Sequence, residues 1–227
     1  MTIVIPYIDD ILSGVELKFA LRSIEKHLTG FTNLVIIGTP PDWYKGEFKE
    51  AKDYSHRKQF SIYQKLLVAC ELENVSEDFI MWNDDHFLLR DLYIKDIVPW
   101  YDIYLKDTLN RPHGVRYKET IANTLHIIPN TLNYDIHTPC IYNKSLFRVL
   151  FSNMQDEVLI KSYYFNHFCG DSGEPMKDLT IMRLFSKEAL EELIKDRLFF
   201  ATTTNGTKKP MIKLLNELFP NKSQWEL

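Results

Sequence analysis

The chain has 227 residues, of which 45% are hydrophobic and 13% aromatic, a composition that predicts a packed globular protein. Its formal net charge of −4 argues against broad, non-specific nucleic-acid binding, and no apolar stretch approaches the roughly 20 residues of a membrane span. The three cysteines form no CxxC pair, and the first residues, MTIVIPYIDD, lack a secretory signal. We therefore expect free thiols and a cytoplasmic protein.

Short apolar runs alternate with amphipathic stretches in the first third of the chain. The runs TIVIPYI, NLVIIG (33–38) and DFIMW (78–82) predict three strands. Apolar residues at helical spacing predict helices over 15–29 and 57–73. This β-α-β-α-β order is typical of a mostly parallel sheet with covering helices.

The second half of the sequence is less regular. Helices are predicted over 111–128, 143–152 and 186–196, and Pro210 is expected to begin a last helix. YDIHTPCIY (134–142) and RLFFAT are predicted to be extended. The whole pattern predicts an α/β fold, with a mostly parallel twisted sheet, helices on both faces and a helical C-terminal part.

Polar residues follow the predicted strands directly. Asn83, Asp84 and Asp85 come after the third strand, and Pro6 and Tyr7 come at the end of the first. Ligands of an open parallel sheet bind beyond the carboxyl ends of its strands. We therefore expect these loops, with the end of the second strand, to face one crevice.

The adjacent carboxylates Asp84 and Asp85 suit a hard divalent cation. Mg²⁺ and Mn²⁺ prefer oxygen ligands, and Mg²⁺ usually takes only one or two protein carboxylates together with substrate phosphates. A cation held there would bridge a diphosphate and neutralise charge on a leaving group. The alternative is a helix N-cap or a solvated turn, where Asp is common.

Two further polar clusters carry candidate catalytic groups. YDIHTP contains Asp135 and His137, and the histidine is either a metal ligand, a general acid or base, or a structural residue. The loop NHFCGDSGEPMKD (166–178) contains Asp171 and Asp178, which are either acceptor-side carboxylates or part of an ordinary surface loop. Neither GxGxxG after the first strand nor GxxxxGK[ST] is present, so dinucleotide and P-loop sites are not supported.

The acidic pair after the third strand resembles the DxD-type motif of GT-A glycosyltransferases. Four segments also resemble the Stealth-type proteins, which include capsular polysaccharide and lysosomal-targeting hexose-1-phosphate transferases, and their small phage and bacterial glycosyltransferase-like relatives. The segments come in the family's order and span nearly the whole chain. They are ELKFALRSIEKH (16–27), SEDFIMWNDDHFLL (76–89), DIHTPCIYNKSLF (135–147) and LFPNKSQWE (218–226).

The resemblance implies a single GT-A-like domain, a nucleoside diphosphate sugar donor, and Mn²⁺ or Mg²⁺. Residues 1–110 would form the nucleotide-sugar-binding half, and residues 111–227 the acceptor and catalytic half. The acceptor is left open: a polysaccharide, a protein, a metabolite or modified DNA.

The resemblance implies that Asp84 and Asp85 form the metal and diphosphate site, and a mechanistic hypothesis adds the other donor contacts. Pro6 and Tyr7 would hold the base and ribose, and Asn83 or Asp84 would touch the ribose. Arg22 would be a phosphate or nucleotide contact, because arginine is suited to bidentate phosphate binding. Its alternative role is that of a solvated helix residue.

The resemblance implies a functional role for His137 and matches Asp178 to an acidic position, and the same hypothesis gives these residues roles in the reaction. Asp85 would hold the metal together with His137, and His137 would also act near the transferred group. Asp171 or Asp178 would deprotonate the acceptor hydroxyl if the reaction inverts the sugar configuration.

These roles together predict a metal-dependent glycosyltransferase. The runner-up is a Stealth-type sugar-1-phosphate transferase, which releases a nucleoside monophosphate. It is second because PYIDD replaces a YxWVDG-type opening motif, and because Asn166, Thr204 and Asn205 stand where charged residues are expected. A third alternative is a catalytically inactive protein that binds sugars or nucleotides.

Overall fold

The computed structural model describes residues 1–8, 12–54, 57–170 and 172–227. Its strands are β1 (Thr2–Pro6), β2 (Leu28–Thr29), β3 (Asn33–Ile37), β4 (Glu47–Lys49), β5 (Asp78–Met81), β6 (His86–Leu88), β7 (Leu92–Tyr93), β8 (Trp100–Tyr101), β9 (Cys140–Asn143), β10 (Glu174–Pro175), β11 (Thr180–Ile181) and β12 (Phe199–Thr202). Its α-helices are α1 (Val15–His27), α2 (Lys58–Cys70), α3 (Leu105–Thr108), α4 (Val115–Ile127), α5 (Lys144–Phe151), α6 (Ile160–Phe168), α7 (Lys187–Ile194) and α8 (Lys209–Leu218).

The central sheet has five strands in the order β4-β3-β1-β5-β9. The first four are parallel, and β9 is antiparallel to β5. Ile3 and Ile5 of β1 pack with Leu21 of α1, whereas Val4 packs on the opposite side with Tyr63 of α2. Because both faces are covered, the strands are continuous apolar runs. The predicted α/β fold with helices on both faces is confirmed.

A smaller sheet of β11, β12 and β6 extends from the end of β5. Phe87 of β6 and Phe200 of β12 form a further core with Leu190 of α7 and Leu215 of α8. The acidic stretch 83–85 therefore connects the central sheet to this second layer. The helices α7 and α8 form the predicted helical C-terminal part.

The main departure from the predicted elements lies in the second half. Of the run predicted to be extended (134–142), only residues 140–142 lie in a strand, β9 (Cys140–Asn143), and residues 134–139 form a loop. Helix α6 was not predicted, because it is buried nearly all round and has no amphipathic stripe. None of the helices in the described ranges is long and apolar enough to span a bilayer.

Candidate functional site

A cleft of about 640 Å³ lies beyond the carboxyl ends of β1 and β5. It is lined from strand ends, from the start of α1, from the segment leading into α2, and from α4. The lining residues are Pro6, Ile8, Glu16, Asp53, Tyr54, Arg57, Lys58, Gln59, Ser61, Ile62, Asn83, Asp84, Asp85, Arg116, Tyr117, Thr120, Glu157, Thr203 and Thr204. The structure therefore brings four predicted donor or metal residues together: Pro6, Asn83, Asp84 and Asp85.

Asp85 is anchored by its main chain and leaves a carboxylate oxygen uncommitted. Its carbonyl accepts a hydrogen bond from the N–H of Thr202, at 3.3 Å, which ties the loop to β12. Its side chain is 17% exposed. The buried Oδ1 accepts no hydrogen bond from the described residues and lies 3.5 Å from Nε2 of His86.

A buried carboxylate oxygen without a hydrogen bond is costly unless a cation meets it, so Asp85 fits a hard divalent ion. Across the described ranges, no group of three or more His, Cys, Asp or Glu side chains is arranged to hold a metal. These ranges omit Asp9, Asp10 and Asp171. Three protein ligands are not required for Mg²⁺, which commonly combines one or two carboxylates with substrate phosphates and water.

His86 is fully buried beside Asp85. Its Nε2 lies 3.2 Å from Nδ2 of Asn83, and its carbonyl accepts a hydrogen bond from Nε1 of Trp82 at 3.1 Å. Burial, reinforced by the positive charges of Lys161, His137 and Lys58, holds the pKa of His86 well below its usual value. His86 therefore packs against the acidic loop as a neutral imidazole.

His137 forms a close pair with Asp178. Its Nδ1 lies 2.8 Å from Oδ2 of Asp178 and 2.7 Å from Oγ1 of Thr180, and its main-chain N–H donates to Oδ1 of Asp178 at 3.1 Å. Burial acts to lower the pKa of His137, but the hydrogen bond and charge of Asp178, with the charge of Asp85, raise it above its usual value. The paired ring therefore favours the protonated form.

The pKa of Asp178 shifts in the opposite direction to that of His137. Burial acts to raise the pKa of its carboxyl, but the hydrogen bonds and charge of His137 outweigh burial and lower it. An ionised carboxylate that already accepts several hydrogen bonds is a weak proton acceptor. The geometry thus favours a positioning role for Asp178 over the predicted role as a base. Asp171, the other predicted base, lies outside the described residues.

His86 connects the cleft to the His137–Asp178 pair. The pair does not appear among the described residues that line the cleft. The ring centroids of His86 and His137 are 5.4 Å apart in an edge-to-face arrangement, and His86 also neighbours Asp85. One continuous polar centre therefore runs from the acidic loop to Asp178.

Tyr7 and Arg22 have structural roles instead of the predicted nucleotide contacts. The Tyr7 ring is fully buried in the core between the sheet and α1, so it cannot stack on a base. The Arg22 guanidinium is nearly buried and makes two 2.7 Å hydrogen bonds with the carboxylate of Glu226. It also donates to the carbonyl of Phe219 at 3.1 Å. These hydrogen bonds join α1 to the C-terminal segment.

Three buried polar groups near the site were not predicted: His86, Lys65 and Lys161. Lys65 is fully buried, pairs with Asp53 at the cleft and donates to the Tyr7 carbonyl. Lys65 and Lys161 are each the one charged residue of a largely apolar stretch, YQKLLVA and VLIKSYYF, whereas His86 directly follows the acidic pair. Charged residues are almost never buried unless paired, so such a residue indicates a distant partner without identifying it.

No family model and no curated protein matches the sequence. The galactosyltransferase LgtC, solved in complex with donor and acceptor sugar analogs, has a TM-score of 0.52 and 13% identity over 99% of this chain and 97% of that chain. An active-site mutant of LgtC has a TM-score of 0.50 and 11% identity, over 96% and 95% of the two chains. The bifunctional protein WbbM has a TM-score of 0.51 and 10% identity, over 97% of this chain and 49% of its own.

The fold is similar to that of solved glycosyltransferases. The match to LgtC extends over nearly the whole of both chains, so it concerns the complete arrangement of sheets and helices. The likeness to Stealth-type proteins stays a prediction from sequence.

Proposed function

We propose that this protein is a metal-dependent glycosyltransferase, which moves a sugar from a nucleoside diphosphate sugar to a hydroxyl group. The observation that carries the proposal is the acidic loop Asn83-Asp84-Asp85 at the carboxyl end of β5, inside the cleft. The cleft volume falls within the roughly 300–1,000 Å³ typical of small-molecule sites. The similar fold of LgtC, whose structure holds donor and acceptor sugar analogs, supports this reading.

In this proposal the nucleoside lies against the β1 side of the cleft. Pro6 and Ile8 line that side, together with the half-buried ring of Tyr54. Asn83 or Asp84 contacts the ribose. Tyr54 takes the stacking role that the buried Tyr7 cannot fill, because an aromatic face binds any base.

Asp85, with Asp84 beside it, would hold Mn²⁺ or Mg²⁺. A cation bound there supplies charge neutralisation on the diphosphate leaving group. Lys58 lines the same cleft at the start of α2, and its charge acts on the buried His86. The chain thus contributes a cationic side chain of its own to the cleft that holds the acidic loop.

His137 is the proposed group at the reacting end. Asp178 and Thr180 occupy Nδ1, so Nε2 is the ring nitrogen available to substrate. A protonated imidazole there donates a charge-assisted hydrogen bond to a phosphate oxygen as negative charge develops. The predicted role of His137 as a metal ligand stays a prediction, because a carboxylate on Nδ1 is also the usual partner of a histidine that ligates a metal through Nε2.

The acceptor faces the half contributed by residues 111–227. Arg116, Tyr117 and Glu157 line the cleft from that half. Their mixture of charged and aromatic groups suits a polar hydroxyl compound, whose class stays open among polysaccharide, protein, metabolite and modified DNA.

The test is identification of the nucleotide released from a panel of nucleotide sugars, with Mn²⁺ or with EDTA. Metal-dependent release of a nucleoside diphosphate is the expected result, even when water is the acceptor. Release of a monophosphate would establish sugar-1-phosphate transfer instead. Neither release nor binding of any donor would contradict the proposal and favour an inactive binding protein.

A further inference from the structure

A buried lysine forms hydrogen bonds with the loop that carries His137. The Lys161 side chain lies on α6, and the residue is only 5% exposed. Its Nζ donates hydrogen bonds to the carbonyls of Ile136 and Thr138, both at 2.6 Å. These two carbonyls belong to the residues directly before and after His137.

The same helix holds the preceding residues of this loop. The main-chain N–H of Ser162 donates to Oδ2 of Asp135 at 3.0 Å, and its hydroxyl accepts from the N–H of Tyr134 at 3.0 Å. The Asn166 side chain pairs with the main chain of Leu132 in both directions, at 2.9 Å each. Side chains and main chain of α6 thus hold the loop on both sides of His137.

Lysine suits this contact because its ammonium has three donors on a long stem. Two donors hold one carbonyl on each side of His137. The Ile136 carbonyl belongs to the peptide plane directly before the His137 Cα, and it also accepts a hydrogen bond at 2.9 Å from the Thr138 N–H, which belongs to the plane directly after that Cα. A buried ammonium is costly unless it is well compensated. Here the two carbonyls compensate it, and its charge also interacts with Asp135.

We propose that Lys161 is a positioning residue, which holds His137 in the orientation that pairs Nδ1 with Asp178 and presents Nε2 to the substrate. The inference rests on the proposed function for the role of Nε2. The orientation of the ring is a property of the folded protein, and it can be measured without substrate.

The experiment compares Lys161→Met with a matched control, Lys144→Met. Lys144 is also buried, at 9% exposure, and donates to one main-chain carbonyl, that of Leu72, at 2.7 Å. Two readouts are used: the proton NMR signal of the hydrogen-bonded Nδ1–H of His137, assigned with His137→Gln, and the kcat and KM of metal-dependent donor turnover.

In Lys161→Met the Nδ1–H signal is expected to disappear through exchange. The kcat is expected to fall about 10- to 100-fold, as for other groups that orient a site residue, with the donor KM changed by no more than about twofold. Lys144→Met should keep both the signal and kcat. Retention of both in Lys161→Met, at the level of the control, would overturn the inference.

Lys161→Gln covers the case in which the methionine variant does not fold. Glutamine keeps an amide donor of shorter reach, so the same losses are expected in weaker form, and a signal and kcat equal to the control would again overturn the inference. If the wild type turns over no donor, the proposed function fails, and the NMR signal alone decides the role of Lys161.

Discussion

Asp85 is the residue for which burial and chemistry argue most directly for a ligand. Its Oδ1 is buried without a hydrogen bond from the described residues, while the loop around it is tied to β12. The simplest physical explanation is that a cation completes it.

Asp85→Asn tests this explanation. We expect metal-stimulated nucleotide release to fall by about 100-fold or more, as when a preorganised electrostatic contact is removed. The free energy of unfolding should change by less than about 1 kcal/mol, because the amide keeps the shape of the carboxylate. Asp91→Asn, at a surface carboxylate that is 88% exposed, is the control. Near-normal turnover by Asp85→Asn would remove the metal assignment.

Asp178→Asn tests the electrostatics of His137. The variant removes the charge that raises the pKa of His137, so burial dominates and the pKa falls below the wild-type value. An NMR titration of the His137 ring measures the change. An unchanged pKa would show that Asp178 does not stabilise the imidazolium.

The same pair predicts the pH dependence of stability. The raised pKa of His137 contributes stability that is complete below the ordinary histidine value and is lost as pH rises through the raised pKa. The lowered pKa of Asp178 contributes stability that is complete above the ordinary aspartate value and is lost as pH falls through the lowered pKa. The advantage of wild type over Asp178→Asn should therefore be largest between about pH 4 and 6.5.

At the scale of elements, the contact between α1 and the C-terminal segment depends on one buried ion pair. Arg22 and Glu226 have side-chain exposures of 9% and 2%. Removing one partner of such a pair leaves a buried charge uncompensated, at a cost of about 3–5 kcal/mol. This position therefore affects stability, whereas its sequence suggested a phosphate contact.

Glu226→Ala is expected to lower the free energy of unfolding by about 3 kcal/mol without raising the donor KM. Chemical denaturation measures the first quantity and donor kinetics the second. Arg148→Ala breaks an exposed pair with Glu71 and should cost no more than about 1 kcal/mol. An unchanged free energy of unfolding in Glu226→Ala would contradict the structural role of the pair.

A glycine is needed at Gly38 because the chain ends of β1 and β3 approach each other closely there. Its φ of 140° is rarely adopted by other residues, and a Cβ would overlap the carbonyl oxygen of Tyr7. Gly38→Ala is expected to cost about 2 kcal/mol or more in unfolding free energy. Gly114→Ala meets no atom within 4 Å and, at the N-cap of α4, should cost no more than about 1 kcal/mol. Equal melting temperatures for the two variants would contradict this assignment.

Strands and helices were predicted correctly where the local sequence pattern directly reflects burial, as in a fully buried strand or an amphipathic helix. Apolar runs predicted β1, β3 and β5, and α1 and α2 follow the expected amphipathic spacing with shorter ends. Ser186, the first residue of the helix predicted over 186–196, is the N-cap of α7 and accepts a hydrogen bond from the N–H of Ala189 at 3.3 Å. Helix α6 and the loop before β9 were not predicted, because their conformations depend on the hydrogen bonds that join them and not on local sequence preferences.

At the scale of the whole molecule, the cleft joins both halves of the chain. Its walls include Pro6 and Asp85 from the first half, and Arg116 and Thr203 from the second. A ligand that spans these walls should stabilise the fold as a unit, because it binds the native state and not the unfolded chain.

A nucleoside diphosphate with Mn²⁺, at about 100 times its dissociation constant, should add about 2.7 kcal/mol of stability and raise the melting temperature by about 5–10 °C. Differential scanning fluorimetry with each common nucleoside diphosphate measures the shift. The Mn²⁺-dependent part should vanish in Asp85→Asn. If no nucleotide shifts the melting temperature, the donor assignment is wrong.

The sequence by itself determined the α/β class, the first alternation of strands and helices, and the position of the acidic pair after a buried strand. These features are local, because strand, helix and turn preferences act over a few residues. It also drew attention to His137 and Asp178, although the pairing of the two could not be derived from their separation along the chain.

Tertiary structure decided which side chains reach the cleft and which are buried. Arg22 pairs with Glu226, Lys161 holds the carbonyls on both sides of His137, and Lys65 meets Asp53. Each contact joins residues that are distant in sequence, and a charged side chain signals that it needs a partner without specifying which one. Only packing of the whole chain brings those partners together, and with them the orientation of the candidate site.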